Sequence, residues 1–565
     1  MSPTPPTSRR VFLEQAGLTV GAAWLASRLL PAARAENAAA TQPLPGEKPP
    51  EKTPHEVTLT PTGWNLFSRR FVGPPVWTWE PLPGAAGYVV MFAGENDSTA
   101  HTVKLQQPRF DMAVEWPKLE CGWITLIAWA VNGEGQAISS ASPVASTGRQ
   151  FYKSPGFDGV AQKPQDWQRS LERAMAYILA PARDRVYAFE GDMPRSAWSC
   201  CEESITGQRR LTSFPALHYP SFIFTYLLFA REFPGHALAP KAVHQAQQYA
   251  DWLLTHRQTA DARCSLFPFS TIDNGRFQGY MEGANITLFR AARVGEGMVD
   301  MFHHTQDEKY LAYAKHLAGV FIDLQQADGS WPFRVDPKDG RVITAYTSAA
   351  ITPARLFGLL EAVEPNARYA EARQKAARWV LENPVRTHRW EGMYEDVKAL
   401  DAYRGLQHKD TNETISYLMH YHRDDPAMVA IAEKLNRYIE DQFVIWQNSD
   451  RAVTARVPTP MVAEQYAVFV PMEVHTGIWI QSLLALHRAT GKQDYLTKAI
   501  NAANAIICTQ QPHGAYSTWG FDRRFERPLL TLDWPGCNAG AIHALIQLSQ
   551  YLKNLPQSRS TEQPI

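Results

Sequence analysis

Apolar positions along the chain fall into helical stripes that recur. One unit runs from Tyr310 to Phe333, where a helix with one apolar face ends in a turn carrying Trp331. Comparable helices start near 171, 243, 310, 369, 428 and 495, a period of roughly 60 residues, which is the mark of a repeat architecture. A second set starts near His218, Asn285, Tyr346, Asn412, His475 and Asn538. The first set is charged on one side, as in Arg368–Trp379, whereas the second is apolar nearly all round, as in Ser221–Ala230 and Gly477–Leu486. One-sided helices face water and all-round apolar helices are buried. The exception in the second set, Asn285–Phe302, carries Arg290, Arg293, Glu296 and Asp300.

Six helices of each kind make six hairpins, and the pattern predicts a mainly α fold: an (α/α)6 toroid over 155–555 with the apolar set as its inner ring. Ahead of it, over 55–150, the period changes to short strands. Val76–Thr78, Gly87–Phe92 and Trp123–Val131 are examples, punctuated by Gly, Pro and Asn. Trp79-Glu-Pro-Leu-Pro-Gly-Ala-Ala-Gly-Tyr88, Leu119–Trp123 and Asn132–Gly135 look like a fibronectin type III β-sandwich. Residues 36–54, rich in Ala and Pro, read as a tether, and 556–565 as a disordered tail.

Residues 1–35 read as a twin-arginine export signal. Ser8-Arg-Arg-Val-Phe-Leu13 is followed by an apolar run and by Ala33-Arg-Ala35, small residues where signal peptidase cuts. The expected location is periplasmic or secreted, with no membrane association after cleavage. Formal net charge is zero, so no nucleic-acid partner is indicated. Six Cys are present. An exported protein can pair such residues, and Cys508 with Cys537 is one pairing open to it. The adjacent Cys200-Cys201 resembles the pair of zinc-dependent toroidal arabinofuranosidases, but no accompanying ligand motif is present, so no metal and no cofactor is expected.

In a toroid the loops entering the inner helices converge on one axis. Candidate chemistry is therefore sought just before those helices, where free N–H groups also gather. Glu282, Asp410, Glu473 and His475 stand there as candidate catalytic residues, and Tyr346, Asn412, Asp533, Arg523 and Trp534 as candidate substrate contacts. Helix capping is the competing explanation for Asp410, Asn412 and Asn538. Glu is a poor cap, and Glu473 follows the apolar Val470-Pro-Met472, a setting that raises a carboxyl pKa and suits a general acid.

A β-sandwich before an (α/α)6 toroid resembles the toroidal carbohydrate-active enzymes of the glycoside hydrolase and polysaccharide lyase type. The resemblance is one of plan: the Asp-Ala-Gly-Asp and Asn-Glu motifs of toroidal cellulases are absent. It implies a poly- or oligosaccharide substrate and, first, glycoside hydrolysis by paired carboxylates, with Glu473 as acid and Asp410 or Glu282 opposite. The alternatives are a lyase or uronosyl epimerase using Asn412, His475, Tyr346 and Arg523, and a non-catalytic glycan-binding protein. Gln325–Trp331 also looks like the Gln-Trp repeat of terpene cyclases, whose acidic initiating motif is not evident.

Overall fold

The computed structural model describes residues 68, 70–79, 81–138, 146–180, 212–273, 285–345, 348–390, 405–447, 458–466, 469–518 and 534–555. The export signal, the tether, the tail, Cys200, Cys201, Glu282, Tyr346, Trp519, Arg523 and Asp533 lie outside them. The chain divides into two compact units, Met1–Asp158 with Leu400–Gly405 and Arg437–Ser449, and the remainder.

The first unit contains β1 (Arg70–Phe71), β2 (Val76–Thr78), β3 (Gly87–Gly94), β4 (His101–Leu105), β5 (Arg109–Asp111), β6 (Gly122–Val131) and β7 (Ser146–Lys153). Five of them form a sheet in the order β1-β7-β6-β3-β4, and β2 pairs with β5 in a separate ribbon. Strand β6 alternates strictly: Ile124, Leu126, Ala128 and Ala130 are buried, and the residues between them are half-buried. This period of two is why the segment is a strand. The ribbon closes the core by adding Trp77 and Phe110, and Trp77 meets Phe71 edge-on with ring centroids 5.5 Å apart.

The second unit is helical. Its inner helices are α2 (Pro215–Glu232), α4 (Leu288–Thr305), α6 (Ile351–Val363), α8 (Lys409–Tyr421), α10 (Glu473–Thr490) and α12 (Pro535–Lys553). The outer ones are α1 (Trp167–Leu179), α3 (Ala239–Thr255), α5 (Glu308–Leu324), α7 (Ala367–Glu382), α9 (Pro426–Gln442, whose residues from Arg437 on count with the first unit) and α11 (Gln493–Cys508). Each inner helix packs on the next, and α12 returns to pack on α2, so the inner ring is closed. On α7 the buried residues are Tyr369, Ala372, Ala376 and Val380, a single stripe, whereas α2 is buried almost throughout. This is the two-ring division that the apolar pattern predicts.

Side-chain caps start three of the outer helices, and α3 and α11 lack one. Asp166, Asp307 and Asn366 cap the outer helices α1, α5 and α7 through backbone N–H bonds. Helices α2, α4, α8, α10 and α12 have no side-chain cap. Asp410, Asn412 and Asn538 therefore lie inside the first turns, with their side chains committed elsewhere, and the capping explanation does not hold for them.

The turns after α5 and α11 share one device. Gln325 Nε2 donates to Gly329 O and, across to the neighbouring helix, to Ala372 O, both at 2.9 Å. Gln510 Nε2 does the same with Gly514 O at 2.9 Å and Ser170 O at 2.8 Å, which ties the end of α11 to α1. Trp331 is buried and donates to Phe321 O at 2.8 Å, so it is a packing residue. Gly329 has φ +95°, and a Cβ there would lie 2.5 Å from Lys375 O. Gly329→Ala is expected to destabilise by about 2 kcal/mol or more, from backbone strain together with that clash. Urea unfolding measures it, and an unchanged midpoint would remove the turn from the account.

No disulfide joins Cys508 to Cys537, the pairing open to them in sequence. Cys508 is exposed at the end of an outer helix, whereas Cys537 is buried in the first turn of an inner one.

Candidate active site

A cavity of about 450 Å3 lies within the second unit, and all six inner helices contribute to it. At their first turns it is lined by His218, Lys409, Asn412, Glu413, His475 and Trp534. Farther along it meets Arg293, Arg355, Tyr417, His420 and His543, and Glu464 also reaches it.

Of the residues expected from sequence, His475, Asn412 and Trp534 line this cavity. Asn412 is held on both sides: its amide meets His408 Nδ1 at 2.9 Å, and its oxygen accepts from Ser482 Oγ at 2.5 Å. The rings of His408 and His475 meet edge-on with centroids 4.9 Å apart.

Glu473 and Asp410 are not among the lining residues. Glu473, the first residue of α10, is fully buried and accepts from Thr518 Oγ1 at 3.0 Å and Asn538 Nδ2 at 3.2 Å. Asn538 also donates to Tyr516 O and accepts from Tyr516 N, so this carboxylate belongs to a clamp between α10, α12 and the turn after α11. Asp410 accepts from Ser348 Oγ at 2.5 Å and Gln407 Nε2 at 2.7 Å. Burial pushes its pKa up, opposed by Lys409 and reinforced by Glu413.

The charged centre of the cavity is a network that draws on Arg293 and Glu296 of the charged second-set helix and adds Lys409, Arg355 and Glu413. Lys409 Nζ lies 2.9 Å from Glu413 Oε1. Thr352 Oγ1 donates to Glu413 Oε2 at 2.7 Å, and Arg355 reaches the same oxygen at 3.7 Å. Arg355 also lies 3.3 Å from Glu296, which Arg293 meets at 2.8 Å. Burial works to raise the Glu413 carboxyl, but Lys409, Arg355 and Arg293 outweigh it and hold it well below the usual carboxylate range. The sequence signal for it was the charged second-set helix, because charges on an inner-ring helix must find partners in the interior.

The histidines are driven the other way. Burial, with Arg290 adding to it, lowers His218 to about 3. Burial and then Lys409 lower His475 to about 3. Burial, Arg293 and Arg231 bring His543 to about 4. These imidazoles are neutral across the physiological range. Their folded pKa values lie below the unfolded value, so the stability they contribute is complete above pH about 6.5. It is lost as pH falls from there toward 3–4. Thermal unfolding should therefore show Tm falling below pH about 6.5, with a shallower fall in His475→Gln. An equal slope in that variant would exclude His475 as a contributor.

Among the described residues no group of three or more His, Cys, Asp or Glu side chains could hold a metal ion. None of the helices there is long and apolar enough to cross a membrane.

No family model and no curated protein matches the chain. Solved structures do. A D-mannose isomerase aligns at TM-score 0.50 and 11% identity, over 69% of this chain and 100% of that one. A cellobiose 2-epimerase from Bacillus thermoamylovorans aligns at 0.49 and 10%, over 68% and 98%. A family 76 glycoside hydrolase from a bovine Bacteroides thetaiotaomicron strain aligns at 0.45 and 8%, over 86% and 97%. The fold is the (α/α)6 toroid. At such identities the likeness speaks to the fold alone.

Proposed function

We propose that the chain is a carbohydrate-active enzyme that binds a sugar in the inner-ring cavity and moves a proton on it, as in epimerisation or aldose–ketose isomerisation. One observation carries this reading: neutral imidazoles, His218 and His475, share the cavity with the half-buried cation Lys409. Removing a proton from a carbon beside a carbonyl requires a deprotonated base, which for His is the neutral imidazole, and positive charge where the oxygen becomes negative. The cation that weakens His475 as a base also stabilises the enediolate, so the two effects offset each other. Glu413, held ionised, is suited to accept hydrogen bonds from sugar hydroxyls and unsuited to protonate a leaving group.

Glycoside hydrolysis is the second reading. Glu413 and Glu464 in one cavity favour it, with Glu464 as the acid. The leader Ser8–Leu13 supports export by the twin-arginine route, so the substrate is met in the periplasm or beyond.

Incubation in D2O with glucose, mannose and cellobiose, followed by NMR, separates the readings. Proton transfer predicts deuterium at the carbon next to the anomeric centre, together with an epimer or ketose. Hydrolysis predicts new reducing ends from oligosaccharides with no label on carbon. Absence of both after long incubation would sink the enzymatic proposal.

A further inference from the structure

The cavity runs lengthwise through the inner ring. It touches Lys409 and Tyr421, the first and last residues of α8, and twelve steps of 1.5 Å make that span about 18 Å. A volume of about 450 Å3 drawn out over this length makes an elongated channel rather than a round chamber. Exposure is graded along it. Asn412 and Trp534, at the first turns, are 1% and 2% exposed, whereas Leu359, farther along, is 38% exposed and His420 is also exposed. Phe289, Val474 and Ile478 offer apolar surface for sugar C–H faces, and Ser416, Gln481 and Gln547 offer polar groups for hydroxyls.

Charge in the cavity is balanced. Arg293, Arg355 and Lys409, the cationic lining residues among those described, each lie against Glu296 or Glu413. A carboxylate on the ligand would have to compete with buried protein carboxylates for those cations, and Glu464 adds a further negative group.

We infer that the ligand is a neutral, linear di- or trisaccharide seated end-on along the axis of the inner ring, its reacting end at His218 and His475. The inference rests on the carbohydrate reading above. It makes the enzyme one that works on chain ends or free short saccharides, and it disfavours the uronate substrates considered from sequence.

Isothermal titration of the full chain with glucose, cellobiose and cellotriose, the mannose series and glucuronic acid tests it. Affinity should rise about tenfold or more from the monosaccharide to the trisaccharide of the preferred series, and glucuronic acid should bind about tenfold more weakly than glucose. Ser416→Trp, midway along α8, should bring trisaccharide affinity down to the monosaccharide level. Gln547→Ala, a milder change near the far turn, should weaken the trisaccharide several-fold and leave the monosaccharide unchanged; it keeps the test open if the Trp variant does not fold. Equal affinity at all lengths, tighter binding of glucuronic acid, or length dependence that survives in a folded Ser416→Trp protein would overturn the axial seating while leaving the carbohydrate reading in place. No binding of any saccharide would remove both.

Discussion

Lys409→Met should lower the kcat/KM of sugar turnover by about 10²–10³, the loss seen when one preorganised charge donor is taken from a transition state. Lys409 lies 2.9 Å from Glu413 and 3.7 Å from Asp410, and its charge helps to lower the pKa of both His408 and His475. Its removal has a second signature that a merely structural role would not give. Without the neighbouring cation, the His475 pKa rises from about 3 toward its ordinary value, which NMR titration of the imidazole reads directly. The stability attached to His475 is then lost over a narrower pH window, because the folded and unfolded values draw together. Unaltered turnover and an unshifted His475 in the Lys409→Met protein would show that the cation is a spectator.

Glu413→Leu is expected to destabilise the fold by about 3 kcal/mol, since it takes the shared counter-ion from Lys409 and from the partly exposed Arg355. The informative comparison is the double variant Glu413→Leu with Lys409→Met. Replacing both partners with apolar groups removes the desolvated charges as well as their attraction, so much of the lost stability should return. Chemical unfolding of the two single variants and the double gives the coupling directly. Additive losses would mean that the pair does not act as a unit.

The ring architecture was legible because it is written in burial. A helix apolar all round, such as α2, has nowhere to be except inside, and a helix with the Tyr369–Val380 stripe has one face to hide. The expected inner starts at His218, Asn412, His475 and Asn538 fall within a few residues of the observed Pro215, Lys409, Glu473 and Pro535. The site was less legible. His475 and Glu473 are two residues apart on one helix, yet one lines the cavity and the other is clamped by Thr518 and Asn538. Sequence places both at the same helix start without saying which direction each side chain takes. Likewise Arg293, Arg355 and Glu413 come from three separate hairpins and meet only when the ring shuts. Their types hinted at interior charge, but their partnership is a product of tertiary geometry.

The bond from Gln510 to Ser170, with α12 lying on α2, joins the last hairpin to the first. During synthesis the greasy flank of α2 therefore waits uncovered until α12 has been made. A ribosome stalled short of α12 would release a gapped horseshoe whose bare apolar wall invites aggregation, so quality control of this protein falls on the hairpin that closes the ring.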